Sequence, residues 1–224
     1  MRLRFLVACG GLLLFMQAAA NAGVILYSDL GPDGSLYNCC VGPFPGIGGG
    51  PPPLGPYTKG FGFSAATGGI VEEIDLPFWG MPNLVTVSLN ADADGSPGAV
   101  LDSWNILPSG VDWTTCCTVE TLIPHEDVAL TAGAPYWLVA GPATGQMTFA
   151  GFFLNDVGAL GLSAISNNGG AFAIAPGSTL AAFQVTGSVP EPGSFVPVGS
   201  MLAAAIGLRK RCDRRAPSAR RNGN

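Results

Sequence analysis

An all-β fold, an antiparallel β-sandwich of jelly-roll type, is what this chain of 224 residues predicts, and three observations carry the prediction. Glycine and proline are abundant, at 33 and 19 residues, while charged residues make up 11%; that balance favours short strands and tight turns over helices. No segment sustains a 3.6-residue apolar period between helix caps. Several short stretches instead alternate with period 2 between turn signals. Two ends stand apart from the sandwich, an N-terminal signal peptide and a short C-terminal transmembrane segment, which divides the chain into residues 1–22, 23–187 and 188–224.

The N-terminal end has the three parts of an export signal. Arg2 and Arg4 give a positive start, Phe5 to Met16 an apolar run, and Ala20-Asn21-Ala22 a small-residue site for signal peptidase, so cleavage is expected after Ala22. The mature chain then begins at Gly23. A lipoprotein signal around Cys9 is disfavoured, because the apolar run continues past that residue.

The exported domain opens with Gly23 to Leu30 as a first strand and Gly31-Pro32-Asp33-Gly34 as a turn. Gly42 to Pro56 is too rich in Gly and Pro for a helix or a central strand and reads as loop, Pro51-Pro52-Pro53 included. Alternation strengthens from Lys59. In Ile70 to Leu76, strict period 2 would place Glu72 on the apolar face with Ile70, Ile74 and Leu76, so a β-bulge is expected there. Leu84 to Leu89 alternates cleanly and runs into the turn cluster Asp92 to Gly98, followed by Val100 to Trp104. Further extended stretches are expected around Trp113 to Leu122, Val128 to Leu130, Pro135 to Ala140, Met147 to Leu154, Ala171 to Ala175 and Ala181 to Thr186.

The C-terminal end carries Pro190-Glu191-Pro192, the apolar run Phe195 to Leu208, and the basic stop Arg209-Lys210-Arg211. Fourteen residues at about 1.5 Å each reach about 21 Å against a hydrocarbon core of about 30 Å, which favours processing over permanent anchoring. These three parts in order resemble the PEP-CTERM sorting signal of exopolysaccharide-making bacteria; the tail from Cys212 to Asn224 is longer than that pattern. The resemblance implies recognition of Pro190, Glu191 and Pro192 by exosortase, transient inner-membrane association, and delivery to the cell surface or extracellular space. Val85 to Leu89, Asp94 to Trp104 and Leu130 to Val139 are similar to exported domains called choice-of-anchor, which implies a β fold on a surface and no settled activity.

Charge narrows the partners. From Gly23 to Leu208, Lys59 alone stands against fourteen Asp and Glu, hence a net charge of −13. Nothing there neutralises phosphate, so nucleic acid and anionic membranes are poor partners.

Four cysteines remain in the exported part, the vicinal pairs Cys39-Cys40 and Cys116-Cys117. In an oxidising compartment disulfides are expected between the two pairs, closing a loop of about 77 residues; a four-thiolate zinc site is disfavoured without C-x-x-C spacing. Asp92-Ala93-Asp94-Gly95 reads as a turn before it reads as the start of a calcium loop, since the later ligands are missing.

Catalytic material is thin. His125, the single histidine, has Glu126 and Asp127 beside it and Ser163 and Ser166 downstream, with no G-x-S-x-G; Glu72, Glu73 and Asp75 read as a solvated strand face before a glycosidase carboxylate pair. Among Trp79, Trp104, Trp113 and Trp137, the apolar surroundings of Trp137 place it in the core, and Trp79 in Pro77-Phe78-Trp79-Gly80 is the candidate for carbohydrate contact. The sequence therefore predicts a non-enzymatic surface or extracellular-matrix protein with no catalytic residues, metal or cofactor, and the PEP-CTERM resemblance implies that it is associated with exopolysaccharide. A carbohydrate-binding module is the alternative and a secreted hydrolase the second.

Overall fold

The structure is a computed structural model and describes residues 23–31, 46–49, 56–80, 83–108, 118–144 and 148–189. Among these residues the elements are thirteen strands: β1 (Val24–Ser28), β2 (Gly46–Gly49), β3 (Pro56–Ser64), β4 (Gly69–Gly80), β5 (Val85–Asp92), β6 (Pro97–Ile106), β7 (Val119–Leu122), β8 (Ala129–Leu130), β9 (Pro135–Pro142), β10 (Phe149–Phe152), β11 (Leu160–Asn167), β12 (Ala173–Thr179) and β13 (Gln184–Ser188).

Every pairing is antiparallel. In the first sheet β1 pairs with β13, β13 with β4, and the far side of β4 with β7 and β8. The second sheet runs β6-β5-β9-β3-β11-β12. The sheets are not separate: β10 pairs with the end of β4, β2 pairs with β10, and β2 continues onto β3, so hydrogen bonds run from one sheet to the other along one side. That connection distinguishes the molecule from a jelly roll of two independent sheets.

The core follows from alternation. In β5, Val85, Val87 and Leu89 are fully buried while Thr86 and Ser88 face outward half-buried. In β4 the register slips opposite Thr186 and Gly187, leaving Glu72 as the extra residue of a bulge. The slip lets Val71, Ile74, Leu76 and Phe78 all point inward while Glu72 is exposed. Phe61, Phe78 and Phe152 meet edge to face in the centre, with centroids 5.1 and 5.3 Å apart.

The bulge depends on Gly187. A Cβ there would strike the Ile70 carbonyl oxygen and lie 2.8 Å from Leu26 Cδ1. Gly187→Ala is expected to destabilise the domain by about 1–3 kcal/mol in urea unfolding; an unchanged midpoint would mean that the bulge relaxes freely.

Several expectations are corrected. The C-terminal membrane-spanning segment, with the PEP-CTERM assignment, exosortase processing and transient inner-membrane association built on it, finds no support: among the described residues there is no helix, and so none long and apolar enough to cross a membrane. Pro190, Glu191, Pro192 and the run Phe195 to Leu208 lie outside those residues. The physical reason lies in the run itself, which at about 21 Å falls short of the hydrocarbon core. The disulfide brace is also withdrawn. Cys39, Cys40, Cys116 and Cys117 lie outside the described residues, no disulfide occurs among the residues that are described, and the core closes there by apolar packing. Ala20, Ala22 and Trp113 lie outside as well.

Candidate functional site

Between β3 and β11 the second sheet parts. Their pairing ends at Phe61 opposite Ser163; beyond it β3 continues on β9 and β11 continues on β12. The gap is a cleft of about 290 Å³ walled by Tyr27, Tyr136, Trp137, Leu160 and Leu162, with Asp92 at its rim.

Trp137 reaches this place because β3 carries glycines opposite it. A Cβ on Gly62 would sit 3.4 Å from the indole, and one on Gly60 3.1 Å from Val139. The two bulky side chains of β9 thus lie across β3 on the outer face of the sheet, packed with Ala164, Leu162 and Phe172. Trp137 is buried, with its indole N–H donating to Asp92 Oδ1 at 2.7 Å. The second oxygen of Asp92 accepts the Gly95 N–H at 2.9 Å, and Asp94 and Gly95 take positive φ values of 53° and 80°. Asp92 to Gly95 is therefore a tight turn whose first carboxylate is taken up by the fold. The two phenols of the cleft are engaged too: the Tyr136 hydroxyl accepts the Thr131 N–H, and the Tyr27 hydroxyl donates to Asp29.

Behind Tyr27 lies the most deeply buried carboxylate of the described residues. Asp29 is 4% exposed and accepts the Phe183 N–H at 2.8 Å and the Tyr27 hydroxyl at 3.0 Å. Burial pushes its pKa up to about 6, against the opposing pull of those hydrogen bonds, and burial raises Tyr27 as well.

At the opposite side of the sandwich, His125 meets a partner that sequence reading did not pair with it. Asp102 on β6 accepts the His125 backbone N–H at 2.7 Å and contacts the ring Nδ1 at 2.9 Å. Burial pushes the Asp102 carboxyl up, but the His125 and Ser103 hydrogen bonds outweigh it and hold the group below the usual carboxylate range. The imidazole stacks on Trp104, whose indole N–H donates to the Ile123 carbonyl at 2.7 Å. These contacts tie β6 of the second sheet to the segment that follows β7 of the first. Glu126 and Asp127 are exposed, and the candidate serines are engaged elsewhere: Ser163 bonds Ser178 and Ser166 bonds the Gly170 carbonyl. The structure brings His125 together with neither serine.

Glu73 and Asp75 stand half-buried on the outer side of β4, and Thr121 of β7 donates to Asp75 at 2.8 Å. Burial and then the Asp75 charge raise the Glu73 pKa. Trp79 is half-buried and packs with Leu30, Phe153 and Ala182. Among the described residues no group of three or more His, Cys, Asp or Glu is placed to hold a metal.

The PEP-CTERM and choice-of-anchor resemblances rest on the residues that suggested them, and the chain is assigned to neither. No family model matches the chain, and no curated protein matches it either.

Proposed function

We propose that the β domain is a non-enzymatic exported protein of the cell surface or extracellular matrix, associated with exopolysaccharide as a structural component. The observation that carries this reading is the use to which the polar side chains are put. Asp92 fixes Trp137 and a turn, Asp29 ties β1 to the approach of β13, Asp102 holds His125, and Ser163 and Ser166 bond within their own hairpin region. The two serines and the His125–Asp102 pair that a serine hydrolase would draw on are bonded within the fold and not to one another.

Export is supported by the position of β1, whose first residue, Val24, follows the expected mature terminus Gly23 directly. Removal of residues 1–22 leaves the β1–β13 ladder intact. The glycan-binding alternative draws on Trp79, but the half-buried packing of that indole and the burial of Trp104 and Trp137 give it less exposed aromatic surface to work with.

The test is location together with turnover. The protein is expected outside the cell with Gly23 as its first residue, and the purified protein is expected to leave glycosidic and ester substrates intact. Hydrolysis abolished by His125→Ala or Glu73→Gln would refute the non-enzymatic reading.

A further inference from the structure

Asp29 is a buried acid without a basic partner. Its two oxygens are held by one backbone N–H and one phenol, and its own N–H donates to the Phe183 carbonyl at 3.2 Å. From β1 the titratable group facing it is Tyr27, whose ring is wedged between Phe63 of β3 and Phe183 at 4.9 and 4.8 Å. From the approach to β13 the facing groups are the Phe183 backbone and ring, and the neighbouring Leu30 packs on Phe153 and Ala182, which carry no charge. Lys59, the one lysine of the described residues, sits over the Phe61 ring. A carboxylate in such a place is stable neutral and costly charged.

The residue also occupies a mechanical position. β1 is an edge strand, with Ile25 half-exposed; its ladder runs along one side, to β13, and its Leu26 carbonyl accepts the Ala66 N–H at 2.7 Å. Asp29 closes the far end of that ladder, one residue past Ser28 opposite Gln184.

We propose that Asp29 is a proton-operated latch on β1, holding the N-terminal strand against β13 when protonated and loosening it when ionised. The sign follows from linkage. The latched form binds the proton more tightly, with a pKa of about 6, than the opened form, in which a solvated Asp titrates at about 3.9. The latch is therefore tightest below about pH 4 and weakens as pH rises through about 6. Opening needs no unfolding of the second sheet, because β5, β9 and β3 pair among themselves.

Amide hydrogen exchange on the exported protein tests this, with rates corrected for intrinsic chemistry. In the wild type, opening reported by the Asp29 and Phe183 amides, which bond each other's residues across the end of the ladder, should rise roughly fifty-fold from pH 4 to pH 8, while the β5–β9 ladder stays flat. Asp29→Asn should abolish that dependence. Tyr27→Phe, which removes a bond that lowers the Asp29 pKa, should move the midpoint to higher pH. A pH-independent β1 in the wild type, the same dependence in Asp29→Asn, or an unmoved midpoint in Tyr27→Phe would each overturn the latch.

Discussion

Phe152→Ala is expected to destabilise the domain by about 3–5 kcal/mol, the largest loss from any single truncation considered for this fold. The side chain is fully buried and makes edge-to-face contacts with Phe61 of β3 and Phe78 of β4, one from each sheet. Its strand, β10, is also the piece through which hydrogen bonds pass from β4 to β2 and on to β3. The cavity left by an alanine would therefore open where the two sheets are joined, and neither sheet can move to fill it without breaking that seam. Urea unfolding of the purified protein measures the effect. Ile174→Ala, on the exposed outer strand β12, should stay within about 0.5 kcal/mol. Equal losses for the two variants would show that the seam is not the centre of the core.

The second large effect is on pH dependence. The folded-state pKa of Asp29, about 6, lies above its unfolded value of about 3.9. Its favourable contribution is present in full below about pH 4 and is lost as pH rises through about 6, for a total of about 3 kcal/mol. Asp102 works in the opposite sense, since its lowered pKa stabilises above the ordinary carboxylate range and loses that effect in acid. The comparison of wild type with Asp29→Asn separates the two. Between pH 4 and pH 7.5 the variant should lose about 2 kcal/mol less than the wild type. A difference near zero would mean that water reaches Asp29 in the folded state.

Much of the fold was legible because its signals are local. The alternation of Val85 to Leu89 and the turn at Asp92 to Gly95 are written in adjacent residues, and the break of period at Glu72 appears in the structure as a bulge. What was missed depends on residues far apart in sequence. Gly46–Gly49 lies in a stretch read as loop, yet it forms β2, because backbone pairing with β10 and β3 sets it as a strand whatever its composition. Leu160–Asn167 was passed over although Leu160, Leu162 and Ala164 alternate; its place between β12 and β3 makes it a strand.

The candidate site was less legible still. His125 finds Asp102 across 23 residues, with Glu126 and Asp127 as closer and misleading neighbours. Nothing in the sequence around Asp29 signals that Phe183 will bond it from 154 residues away. Trp137, by contrast, carries its burial in its apolar surroundings. Its opening across β3 was written in Gly60 and Gly62, which sequence reading had no reason to connect to it.

The intact mass of the protein recovered outside the cell tests export most directly. The expected result is an external chain whose first residue is Gly23, lacking residues 1–22 and keeping the strand that begins at Val24. A chain found inside the cell with Met1 still attached would contradict it.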